Sequence, residues 1–275
     1  MNRLGSLLRA CAGAGLLAAA SFAALGASAA AGATCAAKSG PRMTALVELY
    51  TSEGCDSCPP ADRWLSSTFP ADANSENAIA LAFHVDYWDR LGWKDRFAAP
   101  AWTERQYAMA RANRSRLVYT PQILLQGHDF SDWRGGRSAA AVAAIAAKPA
   151  RAQIAVEAVP QRDAIAVRAS ASVPLSGDRK NTALFVALAD SRLVSDVKAG
   201  ENAGVRLTHD HVVRVLRGGI AVCAAGEVAT DVTLPLPAES GMAATVVAFV
   251  QNTDNGDVLQ ALALPLAANA CAVPR

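Results

Sequence analysis

The run Thr44-Ala45-Leu46-Val47-Glu48-Leu49-Tyr50-Thr51-Ser52-Glu53-Gly54-Cys55-Asp56-Ser57-Cys58-Pro59-Pro60-Ala61-Asp62 decides how the chain is read. Its first seven residues are apolar but for Thr44 and Glu48 and partly β-branched, the mark of a short, mostly buried strand. Thr51 to Gly54 end that strand. Pro59 and Pro60 suit a first helical turn, whose amide hydrogens have no partner inside the helix, and Ala61, Trp64 and Leu65 follow at helical spacing. Cys55 and Cys58 therefore sit where a strand turns into a helix.

Working outward, Ile79 to Val85 is a second buried strand, and two strands separated by a helix predict a parallel, right-handed crossover. Pro100 to Leu117, with Trp102, Tyr107, Met109 and Ala110 among Arg, Glu and Gln, fits an amphipathic helix. Thr120-Pro121 precedes a strand at Gln122 to Gln126, a turn at Gly127, a partner strand around Asp129 to Arg134, and a helix that Ser138 caps and Pro149 stops. Beyond Pro149 the texture becomes strand after strand: 154–159, 164–171, 182–189, 205–216, 228–234, 245–250 and 258–264. That spacing predicts an antiparallel β-sandwich over 151–275, with the boundary near residue 150.

The 275 residues are 52% hydrophobic and 18% charged, which excludes global disorder. Arg3 and Arg9 precede an uncharged stretch from Ala10 to Ala31, and Ala27-Ser28-Ala29 has the small-x-small pattern of a signal-peptidase site. Residues 1–29 are expected to be a signal peptide cleaved near Ala29, giving a periplasmic or secreted protein with no stable membrane span. The competing reading is an uncleaved anchor, disfavoured because Ala and Gly contribute little to insertion. Without Arg3 and Arg9, the 26 basic residues fall to 24 and equal the 24 acidic ones, so nothing suggests a nucleic-acid partner. Of six cysteines, Cys11 leaves with the leader, and five remain. In an oxidising compartment these are candidates for disulfides or thiol exchange.

A thiol attacks a disulfide only as its thiolate, and the start of a helix favours that anion through free amide hydrogens and the positive end of the dipole. Cys55 is placed to be the nucleophile. Cys58, about one turn deeper, is placed to resolve the mixed disulfide. The same spacing supplies half of many zinc sites, but Cys35, Cys223 and Cys271 are scattered singly and form no second pair. A merely structural local bridge is the other alternative.

The strand Leu46 to Tyr50, the motif Cys55-Asp56-Ser57-Cys58 and Thr120-Pro121 resemble the thioredoxin superfamily. That resemblance implies a cis proline facing the cysteines at Pro121, with Thr120 and Pro121 holding a client strand. The longer runs Leu49 to Asp62, Phe83 to Asp89 with Gly92 to Asp95, and Tyr119 to Gln122 resemble a secreted bacterial family known as domain of unknown function 1223. It implies a fold and a cysteine pair but no substrate. The expected architecture is an α/β thioredoxin-like domain with a helical insertion (42–150), followed by an all-β antiparallel sandwich.

In a parallel sheet, ligands meet the loops beyond the carboxyl ends of the strands, so Asp86, Tyr87 and Trp88 are expected to border the thiol site and bind substrate. They equally suit packing of the inserted helix. Glu48 is either a proton acceptor beneath the cysteines or a buried, partnered carboxylate. Asp56 opposes thiolate formation at Cys55 and predicts a reducing potential. His209 and His211 fall on one face of an expected strand, either as metal ligands or as a polar face lacking a third ligand. His84 with Cys55 and Cys58 suggests a copper(I) set. Cys35 and Cys271 are candidates to tie the ends together, leaving Cys223 free. The function expected is an exported thiol–disulfide oxidoreductase whose partners are client protein thiols or disulfides and a further redox protein. No cofactor or metal ligand is assigned. The alternative is a copper delivery or binding module without redox turnover.

Overall fold

A computed structural model describes residues 34–71, 77–237 and 244–266. The leader with its cleavage site, Cys11 and Cys271 lie outside them. The elements are β1 (Cys35–Lys38), β2 (Ala45–Thr51), α1 (Pro59–Thr68), β3 (Ala78–His84), α2 (Pro100–Ala112), β4 (Gln122–Leu125), β5 (His128–Asp129), α3 (Ser138–Ala146), β6 (Gln153–Pro160), β7 (Ala164–Ser172), β8 (Thr182–Asp190), β9 (Leu193–Asp196), β10 (Arg206–His209), β11 (Val212–Ala221), β12 (Glu227–Pro235), β13 (Thr245–Asn252) and β14 (Val258–Pro265). No helix among the described residues is long and apolar enough to cross a membrane.

The expected pairing of an α/β thioredoxin-like domain with a following sandwich is corrected by the strand order. One mixed sheet runs β14-β13-β8-β11-β3-β2-β4-β5, drawing strands from both sides of residue 150. β3 pairs in parallel with β2 on one edge, and on the other it meets β11, with Val212 opposite Ala82 and the Ala82 amide donating to the His211 carbonyl at 2.7 Å. A second, antiparallel sheet, β1-β6-β7-β12, packs its Val156, Val167 and Leu234 against Leu184, Val186, Leu188, Val246 and Leu262 of the first. The described residues form one compact, mostly β unit. Periodicity predicts most of these strands, though not β1 or β9, and carries no information on which distant strand each pairs with.

β2 is buried on both faces, and its alternation assigns them. Ala45, Val47 and Leu49 meet Ala61 and Leu65 of α1 and Trp133, with α3 packed alongside. Leu46 and Tyr50 meet Trp102 and Met109 of α2, together with Ala187, Val247 and Phe249. Three expected elements differ in extent. α2 ends at Ala112 rather than Leu117, β5 stops at Asp129, and 205–216 divides into β10 and β11 around a turn at Asp210-His211. His211 has φ +60°, so it shares no strand face with His209. Gly127 has φ +83°, and any Cβ there would run into the Gly256 carbonyl, so the β4–β5 and β13–β14 turns touch only because neither carries a side chain.

Glu48 lies on the α2 face of β2, fully buried. Arg105 of α2 donates to both its oxygens at 2.8 Å, and the Tyr50 hydroxyl donates at 3.0 Å. Arg105 also reaches Gln251 of β13 and stacks over Phe83, Phe185 and Phe249. Burial works against its charge, yet the Glu48 carboxylate holds Arg105 above the ordinary guanidinium range. Burial, reinforced by Glu48, likewise raises the Tyr50 phenol. Arg105→Met leaves the carboxylate buried without its counter-ion, and urea unfolding will show a loss of about 3–5 kcal/mol; adding Glu48→Leu restores most of it.

Candidate active site

The chain leaves β2 at Thr51 and turns tightly. The Gly54 amide donates to the Ser52 hydroxyl at 3.1 Å, the Cys55 amide to the Ser52 carbonyl at 3.2 Å, and the Cys58 amide to the Cys55 carbonyl at 3.2 Å. Cys58 is the N-cap of α1, its carbonyl accepting from Ala61 and Asp62. Cys55 and Cys58 are joined in a disulfide with an S–S distance of 2.09 Å. Cys35 is also disulfide-bonded, and Cys223 is an exposed free thiol.

The Thr120–Pro121 peptide is cis and lies beside this disulfide. The Thr120 hydroxyl donates toward Cys55 Sγ at 3.6 Å and accepts from the Trp88 indole at 2.7 Å, while Ser57 Oγ stands 3.4 Å from the same sulfur. Trp88 also covers Gly54, where a Cβ would lie 3.1 Å from the Trp88 Cβ. Asp86 and Tyr87 turn instead to α2. Asp86 accepts from Thr103 at 2.5 Å, and the Tyr87 hydroxyl donates to Gln106 at 3.2 Å. Gln106 in turn donates to the Tyr119 carbonyl at 2.8 Å. α2 thus holds the segment that faces the cysteine turn, and both Tyr87 and Trp88 engage Thr120, the residue that contacts Cys55.

Glu48 occupies the sheet face opposite α1, engaged by Arg105 and Tyr50, which is the partnered-carboxylate arrangement rather than a proton acceptor for Cys58. The acid beneath the cysteines is Asp62, one turn into α1 and 8% exposed, whose Oδ2 accepts from Thr51 at 3.0 Å. Around it lie Glu53, His84, Asp95 and His209, all buried. His84 Nδ1 meets Asp95 Oδ2 at 2.7 Å, and its ring centroid is 4.9 Å from that of His209. His84 is therefore directed to Asp95 and His209, and the expected set with Cys55 and Cys58 is not assembled. His209 Nε2 is 3.2 Å from Glu53 Oε1, and its Nδ1 is 3.7 Å from Asp62 Oδ1. The Trp93 indole donates to Glu53 Oε2 at 2.7 Å, and the Glu53 amide donates to Asp95. Burial alone would lower His209, but the Asp62 and Glu53 carboxylates raise it to about 10. Burial would raise Glu53 and Asp95, but His209 and His84 respectively hold them below the ordinary carboxylate range. His211, expected beside His209, instead meets the Phe69 carbonyl at 2.6 Å, and burial lowers its pKa.

Asp62 and Asp95 escape notice in the sequence for a physical reason. An acid in the first turn of a helix is already accounted for by the dipole, and a lone Asp after Gly-Trp-Lys reads as loop. Asn202 escapes too. Its side-chain amide donates to the Glu53 carbonyl at 2.8 Å and the Cys55 carbonyl at 3.0 Å, while Glu201 accepts from the Asp56 amide at 3.1 Å. The loop between β9 and β10 straps the cysteine turn. Both cysteines are 0% exposed beneath it, whereas Thr120 and Pro121 are half-buried.

Residues 46–251 match the family described as "Protein of unknown function (DUF1223)". A crystal structure of a protein from Agrobacterium tumefaciens is 27% identical, with a TM-score of 0.54 over 81% of this chain and 94% of that one. HBP35 of Porphyromonas gingivalis is similar in fold at 13% identity, with a TM-score of 0.59 over 86% of this chain and 79% of that one. No curated protein matches the chain.

Asn202→Ala removes both strap hydrogen bonds, worth about 1–3 kcal/mol together, so dithiothreitol will reduce the Cys55–Cys58 disulfide about ten-fold faster with the fold intact by circular dichroism. An unchanged rate would show that the strap does not guard it.

Proposed function

This chain belongs to the DUF1223 family, and we propose that it is a thiol–disulfide oxidoreductase that exchanges disulfides with exported client proteins through Cys55 and Cys58. The observation that supports this is a disulfide at the first turn of a helix with a threonine hydroxyl 3.6 Å from its first sulfur and a proline peptide alongside. The likeness to thioredoxins is proposed for this local unit and not for the architecture as a whole.

In the oxidised protein, a client thiolate attacks Cys55 Sγ, the Cys55–Cys58 bond breaks, and Cys58 leaves as a thiolate. A second client thiolate then attacks the client sulfur of the mixed disulfide. The client becomes oxidised, and both cysteines of this protein are left reduced. The reverse sequence transfers two electrons to a client disulfide, with Cys55 attacking and Cys58 resolving. Thr120 donates to the sulfur that becomes anionic, and Pro121 presents a backbone with no amide hydrogen to a neighbouring client strand. Pro59 and Pro60 leave the first turn of α1 without amide hydrogens to offer, so the helix supports either thiolate through the positive end of its dipole. Asp56 and Glu201 act in the other direction by placing carboxylates near Cys55.

Two measurements test this. Cys58→Ser, reduced and exposed to an extract of exported proteins, will accumulate adducts at Cys55 that dithiothreitol releases and that Cys55→Ser/Cys58→Ser lacks. Absence of adducts overturns the proposal. Because two carboxylates oppose the thiolate, the potential will lie nearer the roughly −270 mV of reducing thiol proteins than the roughly −120 mV of strong oxidants.

A further inference from the structure

Beneath the disulfide, the carboxyl ends of β2 and β3 place Thr51 and His84 side by side on the α1 face, in register with each other. Asp62 descends from α1 and His209 enters at the end of β10. Ligand-capable atoms of Asp62, His84 and His209 lie within 4.8 Å of one another, and all three residues are buried. His84 Nε2 is buried without a hydrogen bond. His209 Nε2 and Glu53 Oε1 face each other at 3.2 Å, while His209 Nδ1 stands 3.7 Å from Asp62 Oδ1, beyond hydrogen-bond reach. Buried polar atoms in proteins are almost always satisfied, so His84 Nε2 and His209 Nδ1, both beside Asp62, call for a partner.

We propose that Asp62, His84 and His209 form a binding site for a divalent transition-metal ion, zinc in the first instance, independent of the thiol chemistry above. His84 binds through Nε2, because Asp95 holds its Nδ1; His209 binds through Nδ1, the nitrogen nearer Asp62 Oδ1, while its Nε2 faces Glu53; and Asp62 binds through Oδ1, because Thr51 holds its Oδ2. Each ligand thus has an orienting partner behind it, the arrangement that fixes tautomer and ring direction in histidine metal sites. Two imidazoles and one carboxylate suit zinc with a fourth position left to water. Ligands at 2.0–2.1 Å from such an ion stand about 3.3 Å apart, so the widest separation here closes by about 1.5 Å at most on binding. Three ligands from α1, β3 and β10 would also pin the join between the two halves of the large sheet.

The test uses the full chain carrying Cys223→Ser, so that no exposed thiol competes, with its disulfides oxidised. Equilibrium dialysis against zinc chloride will leave one zinc per chain, and cobalt(II) in its place will show tetrahedral d–d bands without a thiolate charge-transfer band. His209→Asn and Asp62→Asn will each abolish stoichiometric binding, and Asp95→Asn will weaken it about 10–100-fold. Cys55→Ser/Cys58→Ser will leave it unchanged, whatever becomes of client trapping. No stoichiometric metal, octahedral cobalt, or binding that survives His209→Asn overturns the site. Should a ligand variant fail to fold, the cobalt spectrum of the parent chain decides.

Discussion

The short parallel contact between β3 and β11 is the constraint on which the rest depends. A strand edge left open exposes a row of unpaired amides and carbonyls, and β3 would present such an edge if β2, β3 and β4 stood alone. The Ala82 amide closes it by donating to the His211 carbonyl, with Val212 opposite Ala82. From that point β11 runs antiparallel to β8, and β13 and β14 follow, so one sheet extends through what would otherwise be two. The turn that feeds β11 ends β10 at His209, and the loop before β10 carries Glu201 and Asn202. Joining the sheets is therefore the same event as delivering those side chains to the cysteine turn.

Much of the local structure is legible from residue pattern alone. The β2–α1–β3 crossover follows from two apolar runs with prolines at a helix start, and after Pro149 the strands β6, β7, β8, β12, β13 and β14 fall within a few residues of their expected limits, whereas β9 is not expected and 205–216 divides in two. The join is not legible, because a strand's composition records how buried its faces are and not which neighbour takes its edges. Val205 to Leu216 illustrates this. Its Val, Leu and Thr content reads as one strand, whereas Asp210-His211 breaks it, His211 taking φ +60° with its amide donating to Ser191. The same break separates His209 from His211 and sends His209 to Glu53 and Asp62. The partners of His209 in the proposed site are invisible along the sequence for that reason: Asp62 and His84 come from α1 and β3, well over a hundred residues earlier.

β2 illustrates how charge is sorted across a sheet buried on both sides. On the α2 face, Glu48 is neutralised by a bidentate Arg105 whose planar cation also lies against three aromatic rings, an arrangement that lysine's point charge could not reproduce. On the α1 face, beyond the last strand residue, the counter-charges are imidazoles, whose protonation can change where a guanidinium's cannot. The arginine side is structural in character: satisfied, aromatic-lined and tied to β13 through Gln251. The histidine side keeps unsatisfied nitrogens directly below the cysteine turn. Buried carboxylates on the two sides of β2 thus take different roles because their partners differ in what they can release.

The disulfide itself is protected by its neighbours. Trp88 covers Gly54 and donates to Thr120, which in turn contacts Cys55; Asn202 holds the carbonyls of Glu53 and Cys55 from the other side. A sulfur with no exposed surface cannot be approached in line by a thiolate, so exchange must be preceded by movement of one of these covers. The two differ in kind. Trp88 is anchored through the segment that Gln106 fixes to α2, deep in the packed half of the sheet, whereas Asn202 and Glu201 sit on a loop held at the cysteine turn by polar contacts. Loops with few apolar contacts open at lower free energy than elements packed into a core. Under the exchange chemistry proposed above, the strap from the second half of the chain would serve as the gate, and Trp88 with Thr120 and Pro121 as the wall against which a client is held.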